Sequence, residues 1–69
     1  MVEVFKTNVR KTRESKQLVR RLLEQFPESR INFDLEDCDK ILRIEAPHVE
    51  VEKTIGFMKE EGFECVVLE

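Results

Sequence analysis

Apolar positions along this chain switch between a period of two and a period near 3.6, and the switches mark out six elements. Residues 2–9 are rich in β-branched and aromatic side chains and predict a first strand. Phe5, Thr7 and Val9 share one side of it and Val2 and Val4 the other. Leu18, Val19, Leu22, Leu23 and Phe26 then recur at i, i+1, i+4, i+5 and i+8, a continuous apolar stripe that predicts a helix over residues 12–25. Thr12 is the expected N-cap, Glu14 suits the first turn, and Pro27 cannot continue the helix. Ile31, Phe33 and Leu35 alternate with Asn32 and Asp34, and Leu42 and Ile44 with Arg43 and Glu45. These are two strands, residues 31–35 and 40–46, joined by a polar turn of about four residues, Glu36-Asp37-Cys38-Asp39. Val51, Ile55 and Met58 follow at helical spacing and predict a second helix over residues 50–61. Gly62 stands where a C-terminal helix glycine belongs, and residues 63–68 read as a last strand.

The order strand, helix, strand, strand, helix, strand within 69 residues predicts one α+β domain spanning residues 1–69. Right-handed crossovers place both helices on one face of a four-stranded antiparallel sheet, a ferredoxin-like βαββαβ sandwich. Residues 8–12, the turn 36–39 and residues 61–63 then emerge at one end, with Pro27 and His48 at the other. A chain this short buries only about 60% of its unfolded surface, so its core is small.

Charge adds a second pattern. The net charge is −3, but residues 1–23 carry seven basic and two acidic side chains, whereas residues 24–69 carry five basic and thirteen acidic. The balances, +5 and −8, suggest a molecule with one basic face, which would steer anionic partners toward it; the competing reading is an ordinary solvated helix surface. No apolar run approaches the ~20 residues of a membrane span, and Met1-Val2-Glu3-Val4 is no signal peptide, so a cytoplasmic protein without a membrane partner is expected. Cys38 and Cys65, 27 residues apart, fit neither a disulfide scaffold nor a zinc spacing and read as reduced thiols. His48 is the lone histidine and Gly56 and Gly62 the only glycines. No catalytic constellation or phosphate-cradling loop can be assembled from these, and an enzyme is not expected.

Three segments resemble one family, the heavy-metal-associated domains of copper chaperones and copper-pumping ATPases. Leu22-Leu23-Glu24-Gln25-Phe26-Pro27 is similar to the family's helix ending Ala-Leu-x-x-Leu-Pro, Phe33-Asp34-Leu35 to its second strand, and Glu61-Gly62-Phe63-Glu64 to its Gly-Tyr-Glu stretch. The resemblance covers nearly the whole chain. The family binds copper through a Met-x-Cys-x-x-Cys loop at the first helix. Counting back from Pro27, the methionine position is Arg10 and the two cysteine positions are Thr12 and Ser15. Cu(I) is soft and seeks sulfur, whereas hydroxyls are hard, neutral and difficult to ionise. The resemblance therefore implies a degenerate metal loop and no copper cofactor. In the family a basic first-helix face meets an acidic face of a partner domain. That implies partner docking by Arg10, Lys11, Arg13, Lys16 and Arg20, on an acidic protein surface.

Cys38 lies in the turn expected at the same end, flanked by Asp37 and Asp39, and is the candidate for a non-standard metal site. The competing expectation is a partly buried turn residue plugging the end of the core. Cys65 alternates with Val67 and is expected in the core; Phe63 is expected to cover the loop end; His48 is expected at the surface. The leading expectation is thus a small non-catalytic binding domain, monomeric or weakly dimeric, for protein interaction or non-standard metal binding. The alternative is anion or nucleic-acid binding at the basic helix start, where backbone N–H groups are free. Against it stand the negative net charge and the absence of Tyr and Trp, with most of the five Phe expected in the core rather than on a base-stacking surface. An amino-acid-sensing module of the same topology would need a glycine in the first loop, and none occurs at residues 6–13.

Overall fold

Six elements form in the expected order: β1 (Val2–Thr7), α1 (Thr12–Gln25), β2 (Arg30–Asp34), β3 (Ile41–Glu45), α2 (Val51–Glu60) and β4 (Cys65–Val67). The structure, a computed structural model, describes residues 1–68. Two helices and one four-stranded antiparallel sheet make an α+β fold with strand order β2-β3-β1-β4.

The strand alternation decides which face is buried. Phe5 pairs with Leu42, Phe33 with the same Leu42, and Thr7 with Cys65, so these side chains share one face. Phe5, Thr7, Leu42, Ile44 and Cys65 are buried there, and Ile31 and Phe33 of the edge strand are half-buried. The first strand therefore turns its Phe5, Thr7 and Val9 side inward. Leu18 and Leu22 of α1 and Met58 of α2 join the same cluster, with α1 lying against β2 and α2 against β4. The opposite sheet face, with Lys6, Arg43, Asn32 and Val66, is exposed. Each fully buried Leu, Phe or Met is worth about 1.5–3 kcal/mol in transfer free energy, which makes this one-sided core the main source of stability.

Helix α1 has the expected span but not the expected start. Lys11, in an extended conformation, is the N-cap and makes no side-chain cap; Thr12 is the first helical residue. The Ser15 amide closes the first turn by donating to the Lys11 carbonyl at 3.0 Å. The apolar stripe splits, with Leu18 and Leu22 buried, Val19 half-buried and Leu23 37% exposed. At the end of α2, Gly62 takes φ +94, its amide donates to Lys59 and the Phe63 amide to Met58. That 5→2 and 6→1 pair is a Schellman closure, available to glycine because it lacks Cβ. It absorbs Gly62 and Phe63, so β4 is shorter than the expected 63–68.

The β2–β3 connection runs over residues 35–40, longer than the four-residue turn expected. Asp34 Oδ1 accepts from the Glu36 amide and Asp37 Oδ1 from the Asp39 amide, two local turns that compete with ladder pairing. Lys40 closes the loop at φ 48. Two buried residues carried no sequence signal. Thr54 is 1% exposed, its hydroxyl donating to the Glu50 carbonyl, and Val49 is buried in the segment before α2. No helix among the described residues is long and apolar enough to cross a membrane.

Neighbours in sequence with opposite burial give a direct check. Leu22→Ala should lower unfolding free energy by about 2–5 kcal/mol and Leu23→Ala by under about 1 kcal/mol, read as urea midpoint shifts at constant slope. Similar losses at both sites would contradict the helix orientation.

Candidate functional site

The loop end is organised by Thr7, the last residue of β1. Its buried hydroxyl donates to the Lys40 carbonyl and accepts from the Val9 amide, and its own amide donates to the Asp39 carbonyl. These bonds hold the turn 35–40 against the segment leading to α1. On the other side the Glu64 amide donates to Asn8 Oδ1 at 2.8 Å, which draws in the α2–β4 connection. Residues 8–12, 35–40 and 61–64 are thus brought together, as expected from the alternating directions. Pro27 and His48 line one shallow depression at the other end, and His48 is exposed.

Arg10, Lys11, Arg13, Lys16 and Arg20 are all exposed at the start of α1 and along its first turns. Among the described residues none of the five has an ion-pair partner. Their neighbours on the chain behave differently: Lys6 meets Asp39 at 3.8 Å, and Arg21 is tied to Glu61. The missing side-chain cap leaves the first amides of α1 facing the same surroundings, and the positive end of the helix dipole adds to the charge there.

Thr12 and Ser15, the two hydroxyl residues at the start of α1, part company. Thr12 is exposed, whereas Ser15 is buried and its hydroxyl donates to the Thr12 carbonyl at 2.8 Å. The Ser15 side chain folds back on its own helix, as serines in helices do when a carbonyl lies within reach. A shallow groove between α1 and β2, lined by Thr12, Ser15, Val19, Ile31 and Phe33 among others, is the nearest concavity.

The cysteines divide as sharply. Cys38 is exposed at the tip of the turn, which corrects the alternative of a partly buried plug: the two Asp-centred local turns lift it away from the core. The ligand atoms of Asp37, Cys38 and Asp39 lie within 4.8 Å of one another. That set offers one soft and two hard donors, and one sulfur cannot supply the pair that two-coordinate Cu(I) requires. Asp39 is also engaged by Lys6, and Asp37 by the turn amide. Cys65 is 7% exposed within the core, as expected, and burial pushes its thiol from 9.0 up to about 12. Phe63 is half-buried and packs against the core beside the loop end.

The thiols should differ in rate. Ellman's reagent should modify Cys38 in the native protein and reach Cys65 only on unfolding. Because burial disfavours the Cys65 thiolate, the folded state holds its proton between about pH 9 and about 12 while the unfolded chain releases it. Stability from this group is therefore intact below pH 9 and falls as pH rises through that window. Urea unfolding across the window should show a negative slope that is reduced in Cys65→Ala; an unchanged slope would contradict the assignment.

Compared with protein-family models, with curated proteins and with solved structures, the chain matches none.

Proposed function

We propose that this chain is a small non-catalytic binding domain that docks the basic start of α1 on an acidic protein surface. In this reading it is a ferredoxin-like relative of the heavy-metal-associated domains, with Thr12 and Ser15 standing where copper-binding thiols would be. The observation that carries the docking role is the set of five exposed cations, Arg10, Lys11, Arg13, Lys16 and Arg20, without ion-pair partners among the described residues. Charge left unpaired on one surface favours encounter with the opposite charge and sets partner choice more than affinity.

One further observation supports the ferredoxin-like reading, and another the absence of a ligand role at Ser15. The strand order β2-β3-β1-β4 with one crossover helix on either side of the central hairpin suits the ferredoxin-like arrangement. The Ser15 hydroxyl is occupied by the Thr12 carbonyl rather than pointing to a shared centre. The nucleic-acid alternative is weakened by the sheet. Phe5 and Phe33 lie on the buried face, and the other three Phe pack against the core. The open face therefore lacks the aromatic rings on which bases stack.

Titration of a fluorescent poly-glutamate peptide into the protein tests this. Binding should weaken by on the order of tenfold from low to high salt, since exposed charges are screened over about 8–10 Å. The double variant Arg13→Gln/Lys16→Gln should lose most of it. Salt-independent binding, no binding at low salt, or a stronger preference for a single-stranded oligonucleotide of equal charge would overturn the proposal.

A further inference from the structure

The basic start of α1 has an acidic neighbour at the same end of the molecule. Thr7 ties the turn 35–40 to the segment that carries Arg10 and Lys11. Asp34, Glu36 and Asp37 are exposed on that turn or its approach, and among the described residues none of them has an ion-pair partner. Local cations do not neutralise the patch. Lys6 is directed to Asp39, and Lys40 Nζ is turned to the Leu35 carbonyl at 2.8 Å. The acidic patch is also fixed in shape, because the Asp34 and Asp37 carboxylates each hold a backbone amide of the turn. Three unpaired carboxylates thus stand beside four unpaired cations, Arg10, Lys11, Arg13 and Lys16, on one surface.

A surface with both signs side by side is complementary to itself after a two-fold rotation. The acidic patch of one copy meets the basic patch of the other, twice over, which is the condition for a closed isologous pair. We propose that the acidic protein surface recognised by this end is a second copy of the chain, in a two-fold dimer joining Arg10–Lys16 of each protomer to the turn 34–37 of its partner. The inference rests on the docking role of the basic end and names its partner. The contact is small, since the molecule measures only 27 × 25 × 18 Å, and a small charged contact associates weakly and reversibly. Within one protomer, among the described residues, none of the three carboxylates pairs with any of the four cations.

Sedimentation equilibrium at high protein concentration, paired with charge-swapped variants, tests the dimer. Asp34→Asn, Glu36→Lys and Asp37→Asn together invert the acidic side while keeping the amide-accepting oxygens of the turn. Arg10→Glu, Arg13→Glu and Lys16→Glu together invert the basic side, leaving Lys11 against three carboxylates. Circular dichroism confirms that each variant folds. The wild type should show a mass above one protomer at low salt that falls to one protomer at high salt. Each variant alone should remain a monomer, and an equimolar mixture of the two should recover association. A wild-type monomer at low salt, a dimer persisting in either variant alone, or no association in the mixture would overturn the dimer. If the wild type binds poly-glutamate yet stays monomeric, the docking role stands and only the partner assignment is lost.

Discussion

One buried hydroxyl sets the geometry on which the functional reading depends. Thr7 ends β1, one of the two inner strands, and its side chain accepts from Val9 and donates to Lys40 while its amide reaches Asp39. A buried hydroxyl left without partners would cost about 1–3 kcal/mol, and satisfying it fixes two loops at once. The chain leaving β1 and the β2–β3 turn are then held side by side. One is basic and the other acidic, so the placement of a single uncharged side chain determines where opposite charges face solvent. The Schellman closure at Gly62 and the bond from Glu64 to Asn8 bring in the third connection.

The one-sided core decides which side chains are left for the surface. Alternation sends Phe5, Leu42, Ile44 and Cys65 toward the helices, and the helices send back Leu18, Leu22 and Met58. With this interior packed, the buried thiol of Cys65 has its proton held far above the ordinary range and serves as a small hydrophobe. The exposed thiol of Cys38 sits on the turn instead, beside carboxylates that belong to the acidic patch. Ser15 completes the contrast. Its buried hydroxyl is folded onto the Thr12 carbonyl of its own helix, a local role.

Much of the framework was legible from periodicity. The span of α1, the inward side of β2 and β3, and the terminating role of Gly62 follow from spacing and from the conformational freedom of one glycine. What escaped was set by local hydrogen bonds that periodicity does not encode. Lys11 rather than Thr12 caps α1 because the backbone at 11 is extended and the Ser15 amide reaches its carbonyl. The hairpin loop is longer than expected because Asp34 and Asp37 draw amides into local turns. Thr54 is buried because helix geometry lets its hydroxyl meet the Glu50 carbonyl. The basic candidate residues were visible as a charge excess in residues 1–23, but their freedom from ion pairs, and the acidic turn placed beside them, required three-dimensional structure.

The central claim is that acidic surfaces are met at the start of α1 and nowhere else on the molecule. A ¹⁵N–¹H chemical-shift map recorded while poly-glutamate is added addresses it residue by residue. The account predicts shifts concentrated in residues 8–20 and nearly absent from the open sheet face around Asn32, Arg43 and Val66. Shifts centred on that sheet face, or spread evenly over the surface, would contradict it.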